Sequence, residues 1–393
     1  MTVSVSIHIE SLLSNVHVKF IIWQHAQTTK YCCLVFDSAA IGSLSLGAGH
    51  TLLLTREGNL WGAGVNMFGQ LGIDPKTGPM SNFIEIVSGE VKGVAAGGGH
   101  SMVLKRDGSV WSTGRNSYGQ LGDGSKIDRH DFVQVILSYA KAVTAGAAHS
   151  LVVIVDGSVW DTGYNMHGEL GDGSTIDRDI FVQVVAVGAE AVSAGSTHSM
   201  MLKQDGSVWM AGSNQQGQLG DGSGTLRTSF VQVMSANAVA IAAGGYHSMV
   251  LDKDGSVWVS GDNEYGQLGD GTTELKISFM QVVSAGVKAI AAGGFHSIVL
   301  NYDGSVWTSG RNNLGQLGNA MVTSCSVLVQ AIPRGVQLVA AGDWHSFAVK
   351  NDNSLWATGA NMYGQLADGS LIPKNVFVNV LKISHNGMWC AVP

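Results

Sequence analysis

Charged residues are scarce in this sequence. Aspartate, glutamate, lysine and arginine together supply 13% of the 393 residues, about half of the usual share. Coiled coils depend on abundant glutamate and lysine, and disordered chains combine high charge with low hydrophobicity, whereas 45% of these residues are hydrophobic. Proline is also rare, with five residues, which excludes a collagen-like helix. The chain is therefore predicted to fold around an apolar core.

Cysteine, basic clusters and long apolar runs are scarce as well. The four cysteines (Cys32, Cys33, Cys325 and Cys390) include no Cys-x-x-Cys spacing, which argues against a disulfide framework or a zinc site. No apolar run approaches the roughly 18 residues of a membrane span, and the N-terminus does not look like a signal peptide. The net charge is −7, without the basic patch of a nucleic-acid binder. We expect a monomer of the cytoplasm, or alternatively of the nucleus, that binds neither membrane nor nucleic acid.

Glycine, in contrast, is abundant, with 53 residues, near twice the usual share of about 7%. Many glycines with few charges indicate many tight turns, which is typical of the all-β class. Repeats explain where these glycines lie. A histidine followed by serine or threonine recurs first after 50 residues and then after every 49, at His50, His100, His149, His198, His247, His296 and His345. Seven of the ten tryptophans form a parallel series, at Trp61, Trp111, Trp160, Trp209, Trp258, Trp307 and Trp356.

Each repeat contains four short apolar stretches. In the copy around His149 they are a small-residue stretch before the histidine, then residues 149–155, 158–163 and 181–185. Asp156-Gly157 separates the second and third stretches and predicts a β-hairpin with a type I′ turn. A Gly-Gln-Leu-Gly loop follows the third stretch, and its leucine is predicted to anchor the loop on the sheet. The tryptophan is predicted to fill the space between adjacent units, because its large ring buries on the order of 150–250 Å².

Seven units of four strands predict an all-β, seven-bladed β-propeller of antiparallel blades. Each strand type reaches seven copies only when both ends of the repeat region are counted, from residues 44–47 to residues 376–380. We therefore expect the N-terminal and C-terminal strands to pair and close the ring. The predicted organisation is an N-terminal extension of undefined structure over residues 1–40, a propeller over residues 41–380 and a C-terminal tail over residues 381–393.

The repeated residues resemble a known family. The pattern A-G-x-x-H-S, then D-G-S-V-W, then G-x-N-x-x-G-Q-L-G-D-G is similar to the repeat of the regulator of chromosome condensation family, and it recurs seven times. The resemblance implies a seven-bladed propeller. Its members include a nucleotide-exchange factor for a small nuclear GTPase, propeller domains of large ubiquitin ligases and secreted bacterial inhibitors of β-lactamase. Copies of 49 or 50 residues leave no room for the exchange factor's wedge insertion. Within these 393 residues we expect neither its basic tail nor a ligase catalytic domain.

No residue type in the repeats predicts catalysis, a cofactor or a metal site. Equivalent histidines on adjacent blades would lie about 10 Å apart, too far to share a zinc ion at about 2.0–2.1 Å, so hydrogen bonding within or between blades is the simpler interpretation. His100 and Ser101 are neighbours on one strand and point to opposite faces, so they cannot act as base and nucleophile. The seven histidines and seven tryptophans are therefore interpreted as structural.

Positions that vary among the copies are better candidates for function. Directly before the histidines, Tyr246, Phe295 and Trp344 follow on consecutive blades and are predicted to form one arc, either as a partner-binding patch or as packing between blades. Two residues after the repeated asparagine stands a mostly aromatic series that is interpreted as loop packing. Directly before the asparagine the residues differ in every blade, as on an asymmetric recognition surface; the candidates there are Arg115, Tyr164, Asp262 and Arg311.

The leading hypothesis is a non-enzymatic scaffold that binds a partner protein through loop residues on one propeller face. The first alternative is guanine nucleotide exchange on a small GTPase. The others are an enzyme-inhibitor propeller and the substrate-recognition part of a ubiquitin ligase.

Overall fold

The computed structural model describes residues 41–383 and 389–391. The predicted N-terminal extension over residues 1–40 and most of the predicted tail over 381–393 lie outside the described residues. The described part contains 29 strands and a single short 3-10 helix, Pro75–Thr77. The predicted all-β class is confirmed.

The strands group into blades of four, which we name A, B, C and D in chain order. Blades 1 to 4 contain β1 (Ile41–Leu46), β2 (His50–Thr55), β3 (Leu60–Gly64), β4 (Met80–Val87); β5 (Val91–Ala96), β6 (His100–Lys105), β7 (Val110–Gly114), β8 (Arg129–Ile136); β9 (Ala140–Ala145), β10 (His149–Ile154), β11 (Val159–Gly163), β12 (Arg178–Val185); β13 (Ala189–Ala194), β14 (His198–Lys203), β15 (Val208–Gly212) and β16 (Arg227–Met234).

Blades 5 to 7 follow the same order, and blade 7 has a fifth strand. They contain β17 (Ala238–Ala243), β18 (His247–Asp252), β19 (Val257–Gly261), β20 (Lys276–Val283); β21 (Val287–Ala292), β22 (His296–Asn301), β23 (Val306–Gly310), β24 (Cys325–Ile332); β25 (Val336–Ala341), β26 (His345–Lys350), β27 (Leu355–Gly359), β28 (Lys374–Ile383) and β29 (Trp389–Ala391).

Each blade is an antiparallel meander in which A pairs with B, B with C and C with D. The B strands are buried along almost their whole length, for example His149–Ile154, whereas the D strands are half-exposed. The A strands of all seven blades line one central cavity, so A is innermost and D is outermost. The predicted seven-bladed propeller is confirmed.

The B–C hairpins contain a different turn from the predicted one. In blade 3 the amide of Gly157 donates to the carbonyl of Ile154 over 2.9 Å, and of the turn residues only Gly157 has a positive φ, 81°. A type I′ turn requires two residues with positive φ, so that prediction was wrong. Asp156 instead accepts a hydrogen bond from the amide of Ser158 at 2.8 Å. In blade 7, Asn353 takes the place of the glycine with φ 60°.

The ring closes without exchange of strands between its ends. Strand β1 pairs with β2 inside blade 1, and β28 pairs with β27 and β29 inside blade 7. The predicted pairing of N-terminal and C-terminal strands was therefore wrong for the described residues. The physical reason is that each blade is complete within one continuous segment, while β29 covers the outer edge of blade 7, where a free strand edge would otherwise be exposed.

Blades 7 and 1 meet through the same kinds of contact as the other neighbours. Their shared apolar core includes Leu53 of blade 1 with Phe347 and Val349 of blade 7. Four hydrogen bonds join the two blades from the channel outward: Asp343 N to Gly47 O at 3.4 Å, His345 Nε2 with Thr51 Oγ1 at 3.0 Å, Thr51 Oγ1 to Gln365 O at 2.8 Å, and Gly369 N to Ser81 O at 2.8 Å.

The tryptophans pack across the interfaces between blades. Trp111 of blade 2 lies against a cluster that includes Leu52 and Leu60 of blade 1. Trp61, Trp209, Trp258, Trp307 and Trp356 pack in the same way against the corresponding clusters. Trp160 is half-buried and donates its indole N–H to Ser158 Oγ at 3.1 Å.

A buried asparagine anchors each C–D loop. In blade 2, Asn116 Oδ1 accepts from the amide of Leu121 at 3.0 Å, and its Nδ2 donates to Asp123 at 2.9 Å. Leu121 is fully buried beneath the loop, as predicted. Asp123 also pairs with Arg129 at 2.6 Å. Burial would raise the pKa of Asp123, but hydrogen bonds from Ser125 and Arg129 outweigh it, and the pKa is lowered.

Candidate protein-binding face

The A–B turns and C–D loops of every blade lie on one face of the ring, because successive connections of an antiparallel meander alternate between its two ends. We call this the loop face. Here the two variable positions lie side by side in each blade. In blade 6, for example, the amide of Arg311 donates to the carbonyl of Phe295 at 2.8 Å, and the same bond recurs between Asp262 and Tyr246 at 2.9 Å.

Tyr246, Phe295 and Trp344 are in direct ring contact on the loop face. The ring centroids of Tyr246 and Phe295 are 6.0 Å apart, and those of Phe295 and Trp344 are 5.4 Å apart. All three side chains are half-buried, so they serve both the packing between blades and the surface. The arc therefore forms a continuous aromatic strip over blades 5 to 7.

An arginine lies within this strip. The guanidinium carbon of Arg311 is 4.6 Å from the ring centroid of Tyr265, 4.8 Å from that of Trp344 and 5.6 Å from that of Phe295. Tyr265 also meets Phe295 edge-on at 5.6 Å. These are cation–π distances. We call Tyr246, Tyr265, Phe295, Arg311 and Trp344 the blade 5–7 cluster.

A second aromatic cluster lies on the loop face across blades 1 to 3. Arg115 lies 5.4 Å from the ring centroid of Phe68 and 5.9 Å from that of Tyr118. Tyr118 and Tyr164 meet edge-on at 4.9 Å, and Tyr164 lies 5.9 Å from His167. We call these five residues the blade 1–3 cluster. Sequence analysis singled out Arg115 and Tyr164 but did not show that they share one cluster.

Small or self-contained side chains separate the two clusters. Blade 4 presents Thr197, Ser213 and Gln216 at the variable positions. Asp262 of blade 5 turns toward its own loop, where it accepts hydrogen bonds from Gln267 Nε2 at 2.8 Å and from the amide of Glu264 at 3.1 Å. The two aromatic clusters are therefore separated on the side of the ring where blade 4 lies.

Below the loop face, the seven repeated histidines form a closed belt of hydrogen bonds. Each Nε2 bonds to the hydroxyl that follows the histidine of the next blade, at 2.8–3.0 Å. The pairs are His50–Ser101, His100–Ser150, His149–Ser199, His198–Ser248, His247–Ser297, His296–Ser346 and His345–Thr51.

The belt histidines are neutral. Ser248 Oγ donates its hydrogen to the carbonyl of Gln218 at 2.7 Å. It therefore accepts a hydrogen bond from the Nε2–H of His198. The Nδ1 atom of His198 is buried without a partner. Burial, followed by the neighbouring His149 and His247, lowers the pKa of His198 to about 3. Burial lowers the pKa values of the other six belt histidines to about 3 or 4.

These histidine–serine pairs cross between blades and not within one strand. His100 reaches Ser150 rather than Ser101, which itself bonds to His50. Each serine hydroxyl in the belt is buried and donates to a backbone carbonyl. A nucleophile needs access to its substrate and a base that can take its proton. The buried hydroxyl offers no access, and the histidine nitrogen that faces it already carries a proton.

Blade 3 departs from the other copies inside its core. Asp161 lies where blades 2 and 6 place hydroxyls that donate to a loop carbonyl, Ser112 to Leu121 at 2.9 Å and Thr308 to Leu317 at 3.0 Å. Asp161 is fully buried, and its Oδ2 has no partner. Burial raises the pKa of Asp161 well above its usual range, and nearby acidic groups raise it further.

The C–D loop of blade 3 adds a second buried acid. Glu169 replaces the glutamine of the other six copies and accepts a hydrogen bond from the amide of His167 at 2.8 Å. Its other oxygen is buried without a hydrogen bond, 3.7 Å from His167 Nδ1, and burial raises the pKa of Glu169. The substitution of one glutamine by glutamate was the sequence signal for this site, and sequence analysis did not use it.

The A strands enclose a cavity of about 290 Å³ on the ring axis. Small residues and backbone of all seven blades line it, and Asp343 is its single charged lining residue. Asp343 belongs to the A–B turn of blade 7, directly before Trp344. Sequence analysis did not single it out.

The described residues contain neither a metal-binding group of side chains nor a membrane-spanning helix. No group of three or more His, Cys, Asp or Glu side chains is placed to hold a metal ion within residues 41–383 and 389–391. Among those residues, no helix is long and apolar enough to cross a membrane.

Solved structures show where this fold occurs elsewhere. Human WBSCR16 is 22% identical, with 82% of this chain and 93% of that chain covered and a TM-score of 0.72. Prp20p from Saccharomyces cerevisiae is 20% identical, with 87% of each chain covered and a TM-score of 0.73; its structure was described with its binding properties to Gsp1p and histones. Yeast RCC1 (Prp20) bound to Kap60 is 18% identical, with 99% of this chain and 95% of that chain covered and a TM-score of 0.74. At these identities the likeness shows the fold.

Family models add the family itself. The Regulator of chromosome condensation (RCC1) repeat matches residues 91–120 and 107–153. A comparison with curated proteins gave no match. The RCC1-like domain matches residues 140–391, well over half of the chain, and the chain therefore belongs to the RCC1-like domain family.

Proposed function

We propose that this protein is a non-catalytic scaffold that binds a partner protein through its loop face. The observation that carries the proposal is the blade 5–7 cluster. In it, Tyr246, Phe295 and Trp344 come from three consecutive blades, and Arg311 lies against Tyr265, Phe295 and Trp344. Aromatic residues and arginine are the types that dominate binding energy at the centre of protein interfaces. Their half-buried rings are rigid, so binding costs little conformational entropy.

The division between belt and loop face supports a role without catalysis. In the described part of the chain, the repeated histidines and hydroxyls are buried and bonded to one another. The side chains that differ between blades lie on the loop face, and those of the two clusters are aromatic or basic. Such a surface supplies shape and charge to a partner, while the belt supplies rigidity.

The proposal is tested by capture from the native source, identification of the captured protein by mass spectrometry, and calorimetry with the purified partner. Replacing Tyr246, Phe295 and Trp344 by alanine is expected to weaken binding at least about 100-fold, because each anchor at the centre of an interface contributes roughly 1–2 kcal/mol or more. The thermal midpoint of unfolding should fall because these rings also pack between blades, but the variant should stay folded at 25 °C, where binding is measured, because the belt is intact.

The blade 1–3 cluster provides the matched control. The triple variant Phe68→Ala, Tyr118→Ala, Tyr164→Ala removes the same number of rings from the same face. Binding by this control should stay within about threefold of the unsubstituted protein. An unchanged affinity in the first triple variant, or an equal loss in both, would remove the blade 5–7 cluster as the binding site.

Regulation of a small GTPase is the second candidate. Its support is membership of the RCC1-like domain family together with the binding of Gsp1p by Prp20p. The measurement is release of labelled GDP from a panel of small GTPases with and without this protein. Acceleration for any of them would replace the scaffold proposal by nucleotide exchange.

A further inference from the structure

The cavity on the ring axis is lined by uncharged residues except at one position. The residue after the glycine of the A–B turn lines its mouth on the loop face in every blade except blade 6. In blades 1 to 6 this residue is small and uncharged. The seven residues are Ala48, Gly98, Ala147, Ser196, Gly245, Gly294 and Asp343.

Asp343 is built into the cavity mouth without a partner. Its amide donates to Gly47 O of blade 1, but within the described chain its carboxylate receives no hydrogen bond and forms no ion pair. Gly294 of blade 6 leaves room for it: a Cβ atom at Gly294 would lie 3.3 Å from the Asp343 Cβ. The side chain is only partly exposed at the cavity mouth, and a carboxylate that is partly removed from water without a counter-charge favours a cationic ligand.

We propose that this cavity receives a lysine side chain of the partner protein, with its ammonium group beside the Asp343 carboxylate. This inference rests on the proposed function, because the lysine would project from a segment that packs on the blade 5–7 cluster. Trp344 is the residue next to Asp343, so one short segment of a partner reaches both.

The dimensions and lining of the cavity favour lysine. About 290 Å³ is enough for one long side chain and too little for a folded element. The lining is rich in alanine, including Ala145, Ala194 and Ala243, which suits an apolar four-carbon stem that carries a compact charge at its end. Attraction between the two charges is stronger in such a partly enclosed site than in bulk water.

A metal ion fits the same site poorly. Calcium requires six to eight oxygen ligands, and Asp343 supplies one carboxylate. The carbonyls of the inner turns already accept hydrogen bonds from the neighbouring blade, as Gly97 O does from Ala48 N at 3.3 Å and Gly146 O from Gly98 N at 3.1 Å.

The electrostatics of Asp343 agree with a cationic ligand. Burial raises its pKa to about 6, so the carboxylate is ionised at neutral pH but poorly solvated. The adjacent His345 turns into the belt and is neutral, and burial lowers its pKa to about 3. No other charged group lines the described cavity, and so none offsets the charge.

The site can be tested without knowing the partner, with n-butylammonium as the probe for the lysine side chain. Methyl NMR of alanine-labelled full-length protein would follow the Ala48 and Ala147 methyl groups at the cavity mouth. Saturable shifts with n-butylammonium, absent with n-butanol, are expected. The Asp343→Asn variant should bind n-butylammonium at least about tenfold more weakly. Ser196→Ala, the matched change in blade 4, should leave the affinity unchanged.

Two results would overturn the proposal: no saturable shift with n-butylammonium, or equal shifts in the Asp343→Asn variant. Once the partner is known, Asp343→Asn should weaken its binding about tenfold, and so should replacement of one partner lysine by methionine. If the ring variants leave partner binding unchanged while the probe still binds, the proposed function fails and the cation site stands. If the ring variants abolish binding while Asp343→Asn and the probe have no effect, the cation site alone fails.

Discussion

The histidine belt and the loop face are built from neighbouring residues of the same repeats, yet they obey opposite rules. The belt repeats one hydrogen bond seven times, with distances that vary only between 2.8 and 3.0 Å. One residue earlier in the chain, the loop face carries glycine in two blades and a tyrosine, a phenylalanine or a tryptophan in three others. Positions that must fit two neighbouring blades are held constant, and positions that meet solvent on one side are free to differ.

The largest effect expected from this comparison is acid unfolding of the belt. Because the folded-state pKa values lie at about 3 or 4 and the unfolded value is 6.5, the unfolded chain takes up the protons. Stability is therefore full above pH 6.5 and falls as pH decreases toward the folded values. At pH about 5.5, one unit below the unfolded pKa, each histidine lowers the free energy of unfolding by about 1.4 kcal/mol. Seven histidines together lower it by on the order of 10 kcal/mol, which is comparable with the stability of a whole domain.

The measurement is the urea midpoint of unfolding between pH 7.5 and 5. A steep fall below pH 6.5 is expected, together with calorimetric uptake of several protons on unfolding. A midpoint that stays constant down to pH 5 would show that the belt is not the neutral, buried array described above.

A single belt residue should matter far more than its neighbour on the face. His198→Ala removes a buried ring, its bond to Ser248 and its packing over Gly195, and should cost about 3 kcal/mol of unfolding free energy. Thr197→Ala, one residue earlier and on the loop face, should cost less than about 1 kcal/mol. Urea denaturation at pH 7.5 compares the two, and equal losses would contradict the division.

The smallest effect concerns Asp161, a buried acid in the core of blade 3 at a position where blades 2 and 6 have hydroxyl groups. The pKa of Asp161 in the folded protein lies above the unfolded value of 3.8. Its effect on the free energy of unfolding is therefore absent below pH 3.8, where the carboxyl is protonated in both states, and the free energy falls as pH rises through the folded pKa. Asp161→Ser, which copies blade 2, should therefore stabilise the protein by about 1–3 kcal/mol at pH 8, and the gain should shrink toward pH 4.

The reciprocal variant Ser112→Asp places the same charge in blade 2. It should destabilise the protein, and more so at higher pH. If Asp161→Ser gives no gain, or a gain independent of pH, Asp161 is not an uncompensated buried acid.

Sequence periodicity was sufficient to predict the architecture. The spacing of the histidines and tryptophans counts the blades, and the four apolar stretches count the strands, because each blade is one local meander. Closure was predicted wrongly because counting strand types does not show which strand begins a blade. The hairpin turn was predicted wrongly because Asp-Gly fits both a two-residue loop and a longer loop in which only the glycine needs a positive φ.

The candidate site was predictable only in part. The aromatic arc could be read from the chain because it occupies one repeat position on consecutive blades. The ring contacts of Arg311 in the blade 5–7 cluster could not be read from the chain, because Tyr265 occupies another repeat position and belongs to the preceding blade. Asp343 stands at a position whose other copies are small and unremarkable, and only the structure shows that this position faces a cavity.

The closure of blade 7 on blade 1 has a consequence for the chain as a whole. Their interface uses the turn, belt and loop bonds found between covalently linked neighbours, from Asp343 N to Gly47 O at the axis to Gly369 N to Ser81 O at the rim. The same contacts therefore join the blades with and without a peptide link between them, so the geometry of the ring does not depend on where the chain is continuous. A circular permutant opened between any two blades would inherit the same closed ring.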